Sequence, residues 1–257
     1  MAPPLAGGRG GNKNAADAAI DQGAAIAYWN DVPATVNGML GGYPQVSRID
    51  LQGSANFLAK VKKQRGVREG DGCASSGGKE GDDLLDLAVD CGAGIGRITL
   101  GFLSRIARVV DVVEPVGKFT LELSEGESGA ELRERGGLGE VFNGGLEEWT
   151  PAKKYDLIWN QWCVGHLKDV QLVEYLKRCS EGLAEGGWIV VKENMSTDVQ
   201  GKDIFDELDS SITRTDKKFR ALFEASGLKI VLTEVQKGFP KVLYPVRMYA
   251  LQPASRG

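Results

Sequence analysis

Histidine is almost missing from this chain. His166 is the one imidazole among 257 residues, and the four cysteines, Cys73, Cys91, Cys163 and Cys179, contain no Cys-x-x-Cys pair. A structural zinc site needs four such donors at close spacing, so no metal is expected and the thiols read as reduced and intracellular. Long apolar runs are missing too. No stretch of about 18 apolar residues is present to span a bilayer, and MAPPLAGGRGGNKN lacks the apolar segment of a secretory signal. Cationic excess is the third absence. With 31 Lys and Arg against 35 Asp and Glu, the net charge is −4; nucleic acid finds no electrostatic footprint here, whereas a cationic partner would be attracted. The expectation is a soluble cytoplasmic monomer, nuclear entry left open, with neither membrane nor nucleic acid as ligand.

What is present is ordinary for a globular chain: 42% hydrophobic and 26% charged residues, enough for a sizeable core. Residues 1–18, rich in Gly, Ala, Pro and Asn, have too few large apolar groups to offset ordering entropy and read as a flexible tail. Residues 66–83, GVREGDGCASSGGKEGDD, have the composition of an inserted flexible loop. The remainder, 19–257, reads as one domain with an N-terminal helical lid (19–60) and a core (84–252). In the core, LLDLAVD (84–90), RVVDVVEP (108–115), EVFNG (140–144), YDLIWNQW (155–162) and GWIVVKEN (187–194) have strand length and β-branched or aromatic content. Helical patterns fall between them at 97–106, 118–134 and 169–184. That order predicts an α/β fold with a parallel sheet and right-handed crossovers. A further helix, DKKFRALFEASG, precedes LKIVLTEVQ and VRMYALQ, an antiparallel pair closing the sheet edge.

The strongest local signal is LAVDCGAGIGRIT, a strand, then Gly92, Gly94 and Gly96, then a helix starting near Arg97. The dinucleotide fingerprint needs glycine at position 97, and no Gly-Lys-Ser/Thr follows, so NAD and ATP lose ground. Asp90 would repel a pyrophosphate yet suit a ligand with positive charge. Glu114 ends the next strand, where a carboxylate can accept both hydroxyls of a ribose. Adenosine with a cationic tail describes S-adenosylmethionine, and the pattern resembles the class I S-adenosylmethionine-dependent methyltransferases. That resemblance implies a seven-stranded, mostly parallel Rossmann-like sheet with an antiparallel last strand. It also implies that Gly92, Gly94 and Arg97 contact the methionine part of the cofactor, Glu114 the ribose, and Leu146 and Glu147 the adenine side, with Gln161 facing the cofactor.

The acceptor is written in other segments. Asn160-Gln161-Trp162-Cys163 departs from the Asn/Asp-Pro-Pro-aromatic tetrad of enzymes that methylate flat amides. Instead Trp162 and His166 stand four apart beyond the carboxyl edge of the sheet, on one face if that turn is helical. Upstream, Tyr28, Trp29, Met39 and Leu40 could form a lid. Downstream, Asp203, Asp206 and Asp209 recur at three-residue spacing, so that on a helix Asp206 and Asp209 would be neighbours and suit a cation. Together with Gln-Trp-x-x-Gly-His, Lys-Glu-Asn and Asp-x-x-Asp-Ser-Ser, these segments resemble the protein α-N-terminal methyltransferases that act on Xaa-Pro-Lys/Arg termini. The resemblance implies that Trp162 packs on the substrate proline and Asn194 holds the terminal residue's backbone. Asp206, Asp209 and Ser211 would take the lysine, and Tyr28, Trp29, Leu40 and Tyr244 would wall the channel. His166 and Asp209 would handle the proton of the α-amine. Ribosomal and chromatin-associated proteins are the partners implied. A small-molecule or lysine side-chain methyltransferase is the alternative.

Overall fold

A computed structural model describes residues 15–69 and 84–254. The chain begins with a 3-10 turn, Ala16–Ala19, then α1 (Gln22–Asp31) and α2 (Val36–Met39). Both helices start on a side chain that accepts an orphan first-turn N–H: Asp21 from Ala24 and Thr35 from Gly38. The helix α3 (Ser47–Glu69) follows, and then an alternation: β1 (Leu85–Cys91), α4 (Arg97–Gly101), β2 (Ala107–Val113), α5 (Gly117–Ser124), α6 (Ala130–Glu134), β3 (Leu138–Phe142), β4 (Tyr155–Gln161), α7 (Asp169–Glu181) and β5 (Leu183–Asn194). A separate hairpin of β6 (Ile204–Asp206) and β7 (Ser211–Thr213) precedes α8 (Asp216–Ala225), β8 (Leu228–Val235) and β9 (Val246–Pro253).

Seven strands form one sheet in the order β3-β2-β1-β4-β5-β9-β8. β1 to β5 are parallel, and β9 runs antiparallel to both of its neighbours. The expected architecture is therefore present, with the last strand inserted so that β8 holds the edge. Successive strand residues serve opposite faces. Ala88, Leu157, Val190 and Ala250 pack under Phe57, Leu58 and Val61 of α3 and Ile98 of α4. Val89, Ile158, Ile189 and Leu251 pack against Leu172, Tyr175 and Leu176 of α7 and Phe219 and Phe223 of α8. Each fully buried Leu, Ile or Phe contributes about 1.5–3 kcal/mol. Strands covered on both faces read as continuous apolar runs, which is why their positions were visible in sequence.

Several expected boundaries move. The 97–106 helix breaks at Phe102, whose φ of −139° is not helical, and continues as a 3-10 turn, Leu103–Arg105. The 118–134 segment splits around Gly126 into α5 and α6. The expected 169–184 helix stops at Glu181, and β5 starts at Leu183, ahead of the expected 187. Residues 15–18 of the expected tail are built in: the Asp17 carboxylate accepts the Asp169 N–H at 2.8 Å. Residues 66–69 of the expected insertion prolong α3, and the rest of both segments lies outside the described residues. The larger correction concerns Asp203, Asp206 and Asp209, which lie on no helix. Asp206 accepts the Leu208 N–H at 2.9 Å, an Asx turn that competes with helix, and Ser210 takes a left-handed φ of 54°, so the segment folds back as the β6/β7 hairpin.

Candidate active site

The strand order reverses between β1 and β4, and at the carboxyl ends of β1, β2, β4 and β5 the loops surround a cavity of about 390 Å³. One wall is the glycine loop. Gly92 and Gly94 have φ of 69° and 55°, a region open chiefly to glycine. A Cβ on Gly92 would lie 2.3 Å from the Cys163 Cβ, and one on Gly94 would lie 2.6 Å from the Met39 Sδ of the lid. The loop is thus pressed against the β4 turn on one side and the N-terminal helices on the other.

Glu114, just past β2, accepts the Gly94 N–H at 2.8 Å and the Val116 N–H at 2.9 Å. Burial pushes its carboxyl up to about 6, against those two donors. Asp90 behaves differently from the expectation. It is fully buried, accepts the Thr99 hydroxyl at 2.6 Å and does not line the cavity. Burial pushes it up to about 6, and it ties β1 to α4 rather than offering charge to a ligand.

The opposite wall starts at Trp162. Its φ of 55° is left-handed, a conformation that costs a bulky residue of order 1–3 kcal/mol and persists where surrounding contacts impose it. Its N–H donates to the Lys192 carbonyl at 3.1 Å, and its ring centroid lies 5.4 Å from the Arg97 guanidinium carbon and 6.4 Å from the Phe239 ring. The 3-10 turn Val164–His166 begins only after it, so Trp162 and His166 do not share a helical face. Both nevertheless line the cavity. Glu193 holds this turn by accepting the Cys163 and Val164 N–H groups at 2.8 and 3.0 Å, and burial pushes its carboxyl up to about 7.

At His166, Nε2 accepts the Trp29 indole N–H at 3.2 Å. That lone pair being engaged, the proton of the neutral ring sits on Nδ1. Burial holds the imidazole below its usual range, opposed by the negative charge of Asp209, the Ser210 backbone and Glu147. The lid that carries Trp29 is tethered at three points. Asp21 N–H donates to the Ser210 hydroxyl, the Gln22 amide donates to the Gln171 side chain, and the Lys118 ammonium donates to the Asn30 and Val32 carbonyls.

All of the cofactor residues expected from sequence line this cavity: Gly92, Gly94, Arg97, Glu114, Leu146, Glu147 and Gln161. So do His166, Asp209, Trp29, Leu40, Trp162, Asn194, Ser211 and Tyr244. Tyr28 and Asp206 stand outside the lining. Tyr28 packs edge-on against Trp29 at 5.3 Å, and Asp206 is exposed at the hairpin turn. Burial raises the Tyr28 hydroxyl, helped by the charges of Asp209 and Asp206. Two groups had no signal of their own in sequence. Phe239 sits in an irregular loop, and Asp50 is one acid on a polar helix, yet it accepts the Gln161 amide at 2.8 and 2.9 Å. Glu193 stands within Lys-Glu-Asn, but its hold on the turn after β4 is visible only in the fold.

The chain matches, over residues 17–252, a family described as AdoMet-dependent proline di-methyltransferase. It is 43% identical to the alpha N-terminal protein methyltransferase 1 of Schizosaccharomyces pombe, across 90% of this chain and 95% of that one. It is also 43% identical to the N-terminal Xaa-Pro-Lys N-methyltransferase 1 of Xenopus tropicalis, across 88% and 92%. A solved structure of a SAM-dependent methyltransferase from Leishmania major superposes with a TM-score of 0.72 at 35% identity, covering 90% of this chain and 82% of that one.

The cavity suits the cofactor these relatives imply. A cationic Arg97 answers a carboxylate, the glycine loop admits a ligand close to backbone, and Glu114 keeps acceptor capacity for ribose hydroxyls. Among the described residues no group of His, Cys, Asp and Glu converges to hold a metal ion. No helix among the described residues is long and apolar enough to cross a membrane. With its glycine loop, its sheet and its relatives in agreement, this chain belongs to the S-adenosylmethionine-dependent proline di-methyltransferase family.

Proposed function

We propose that the protein methylates the free α-amino group of proteins beginning Xaa-Pro-Lys or Xaa-Pro-Arg. One observation carries the reading. Four buried side-chain polar atoms lack a hydrogen-bond partner among the described residues, and three of them, Trp162 Nε1, His166 Nδ1 and Asp209 Oδ1, belong to residues lining the cavity. Buried polar atoms are rarely left unpaired, so this cluster is built for a polar guest that brings donors and acceptors of its own. A protein N-terminus does so, and a cationic one meets the carboxylate.

Bound in the glycine-loop half, S-adenosylmethionine supplies an electrophilic methyl group on a sulfonium. The protein's part is to position and deprotonate the amine. Trp162 offers a flat wall to a proline, which has no N–H to satisfy and a fixed φ. Asn194 holds the terminal residue's backbone; Asp209 and Ser211 receive the lysine or arginine at the third position; Trp29, Leu40 and Tyr244 enclose the chain. An α-amine with a pKa of about 8 arrives mainly as ammonium. Asp209 accepts a hydrogen bond from it, and His166 takes a proton once the Trp29 indole releases Nε2. The reading extends to ribosomal and chromatin-associated substrates, met by a monomer in cytoplasm and nucleus. The free thiols of Cys91, Cys163 and Cys179 suit such a reducing compartment.

The deciding experiment compares a Ser-Pro-Lys peptide with its N-acetylated form, followed by mass spectrometry. Methylation of the free peptide alone is expected. Equal methylation of the acetylated peptide would move the acceptor to the lysine side chain and refute the reading. A second expectation concerns pH. A histidine accepts a proton only when neutral, so kcat/KM, which reports the free enzyme, should fall as pH drops through the His166 pKa. Burial sets that value below the usual 6.5, so the acid limb should lie below pH 6.5. A limb above 6.5 that disappears in His166→Ala would contradict the buried environment of the ring.

A further inference from the structure

Beneath the cavity floor lies a charge cluster that takes no part in handling the amine. Asp50, on α3, is fully buried. Its Oδ2 accepts the Arg97 guanidinium at 2.7 Å, and both carboxylate oxygens accept the Gln161 amide. From the far side comes Lys192, also fully buried, with Nζ 2.5 Å from Asp50 Oδ1 and within 3.0 Å of the Asp50 carbonyl, the Ser54 hydroxyl and the Gln236 side-chain oxygen.

Only part of this cluster reaches the cavity. Arg97 and Gln161 line it, whereas Asp50, Lys192 and Ser54 do not. Lys192 has more acceptors than hydrogens and nothing to spare for a ligand. Arg97 uses a single nitrogen, Nη1, on Asp50 and Ser47, which leaves the rest of its fork for a ligand. Asp50 thus faces two cations in a buried setting, with the buried Asp90 also acting on Arg97, and because Arg97 lines the cavity an anion bound there can reach the rest of its fork. S-adenosylmethionine carries such an anion, its α-carboxylate. Gripping a long flexible side chain from below reduces the freedom it must lose when it binds.

We propose that Asp50 is a positioning residue for the cofactor: it aims Arg97 at the carboxylate of the amino-acid half, with Lys192 as its buried counter-charge. Because Asp50 belongs to α3, the N-terminal helices are then part of the cofactor site and not only a cover for the substrate.

Two ligands separate this role from a general contribution to folding. S-adenosylhomocysteine carries the amino-acid half, whereas 5′-methylthioadenosine lacks it and reports only on the adenosine half. Asp50→Asn alone would strand two buried cations, so the variant measured is Asp50→Asn with Lys192→Gln, in the full chain, with binding read by calorimetry. Loss of one charge-assisted grip should weaken S-adenosylhomocysteine at least about ten-fold and leave 5′-methylthioadenosine within about two-fold. Added to Arg97→Ala, the same pair should weaken S-adenosylhomocysteine no further. Equal losses for both ligands, an unchanged affinity for S-adenosylhomocysteine, a further loss in the Arg97→Ala background, or a pair that no longer melts cooperatively would each overturn the proposal.

Discussion

Replacing His166 by alanine or Asp209 by asparagine should lower kcat by about 10²–10⁴-fold while leaving affinity for S-adenosylhomocysteine within about two-fold, the signature of lost proton handling rather than lost binding. The two side chains come from separate segments, the 3-10 turn after β4 and the hairpin turn between β6 and β7, and both line the cavity. Asp209 has a buried oxygen with no hydrogen-bond partner, the best placed acceptor for an incoming ammonium. Asparagine keeps the shape, removes the charge and turns one acceptor oxygen into a donor, so that variant tests the carboxylate as the acceptor of the ammonium. His166→Ala removes the proton acceptor and also the group to which the Trp29 indole is bonded. Stopped-flow or single-turnover transfer to a Ser-Pro-Lys peptide, with calorimetric cofactor titration beside it, checks both variants. Unchanged turnover in either would remove that residue from the mechanism.

The second large effect should be on stability. Arg214→Met is expected to lower the unfolding free energy by about 2–4 kcal/mol, chiefly because it leaves two buried carbonyls without their donor, with the loss of one side of a half-buried ion pair added. Arg214 is fully buried. Its Nε donates to Asp169 at 3.0 Å and its Nη groups donate to the Val164 and Leu167 carbonyls, so it holds both ends of the turn that carries His166. Asp169 retains Lys218 at 2.7 Å; the two carbonyls lose their donor, and a buried acceptor left unpaired is costly. For a chain of this length the loss corresponds to a melting temperature lower by on the order of 10 °C. Thermal melts measure it, and a fall of less than about 2 °C would show that the turn is held by other contacts. Turnover should fall together with stability, since a loosened turn misplaces His166 relative to Asp209.

Features set by local pattern are legible along the chain itself. The strands stand out as short apolar runs because both faces of the sheet are covered. The glycine loop is legible because left-handed backbone at Gly92 and Gly94 leaves little choice of residue. Where a segment's conformation depends on what packs against it, reading along the chain fails. Asp206 and Asp209 at helical spacing suggest a helix, yet the Asx turn at Asp206 and the left-handed Ser210 make a hairpin. Trp162 carries no mark in sequence of its left-handed backbone, imposed by its place between β4 and the following turn.

Sequence sufficed for the chemistry on offer: one imidazole, a glycine loop, an acidic strand end at Glu114 and aromatic side chains in company that resembles a known family. These are properties of residue identity and short spacing, and they hold whatever path the chain takes in space. Which groups meet was settled by the tertiary fold. It turned Asp90 inward to Thr99 and left Tyr28 and Asp206 outside the lining. It capped the lone histidine with the Trp29 indole, and it brought Asp50 across 111 positions of chain to Gln161. Contacts of that kind depend on how helices lie against the sheet, and no periodicity along the chain encodes the partner that a buried charge will find.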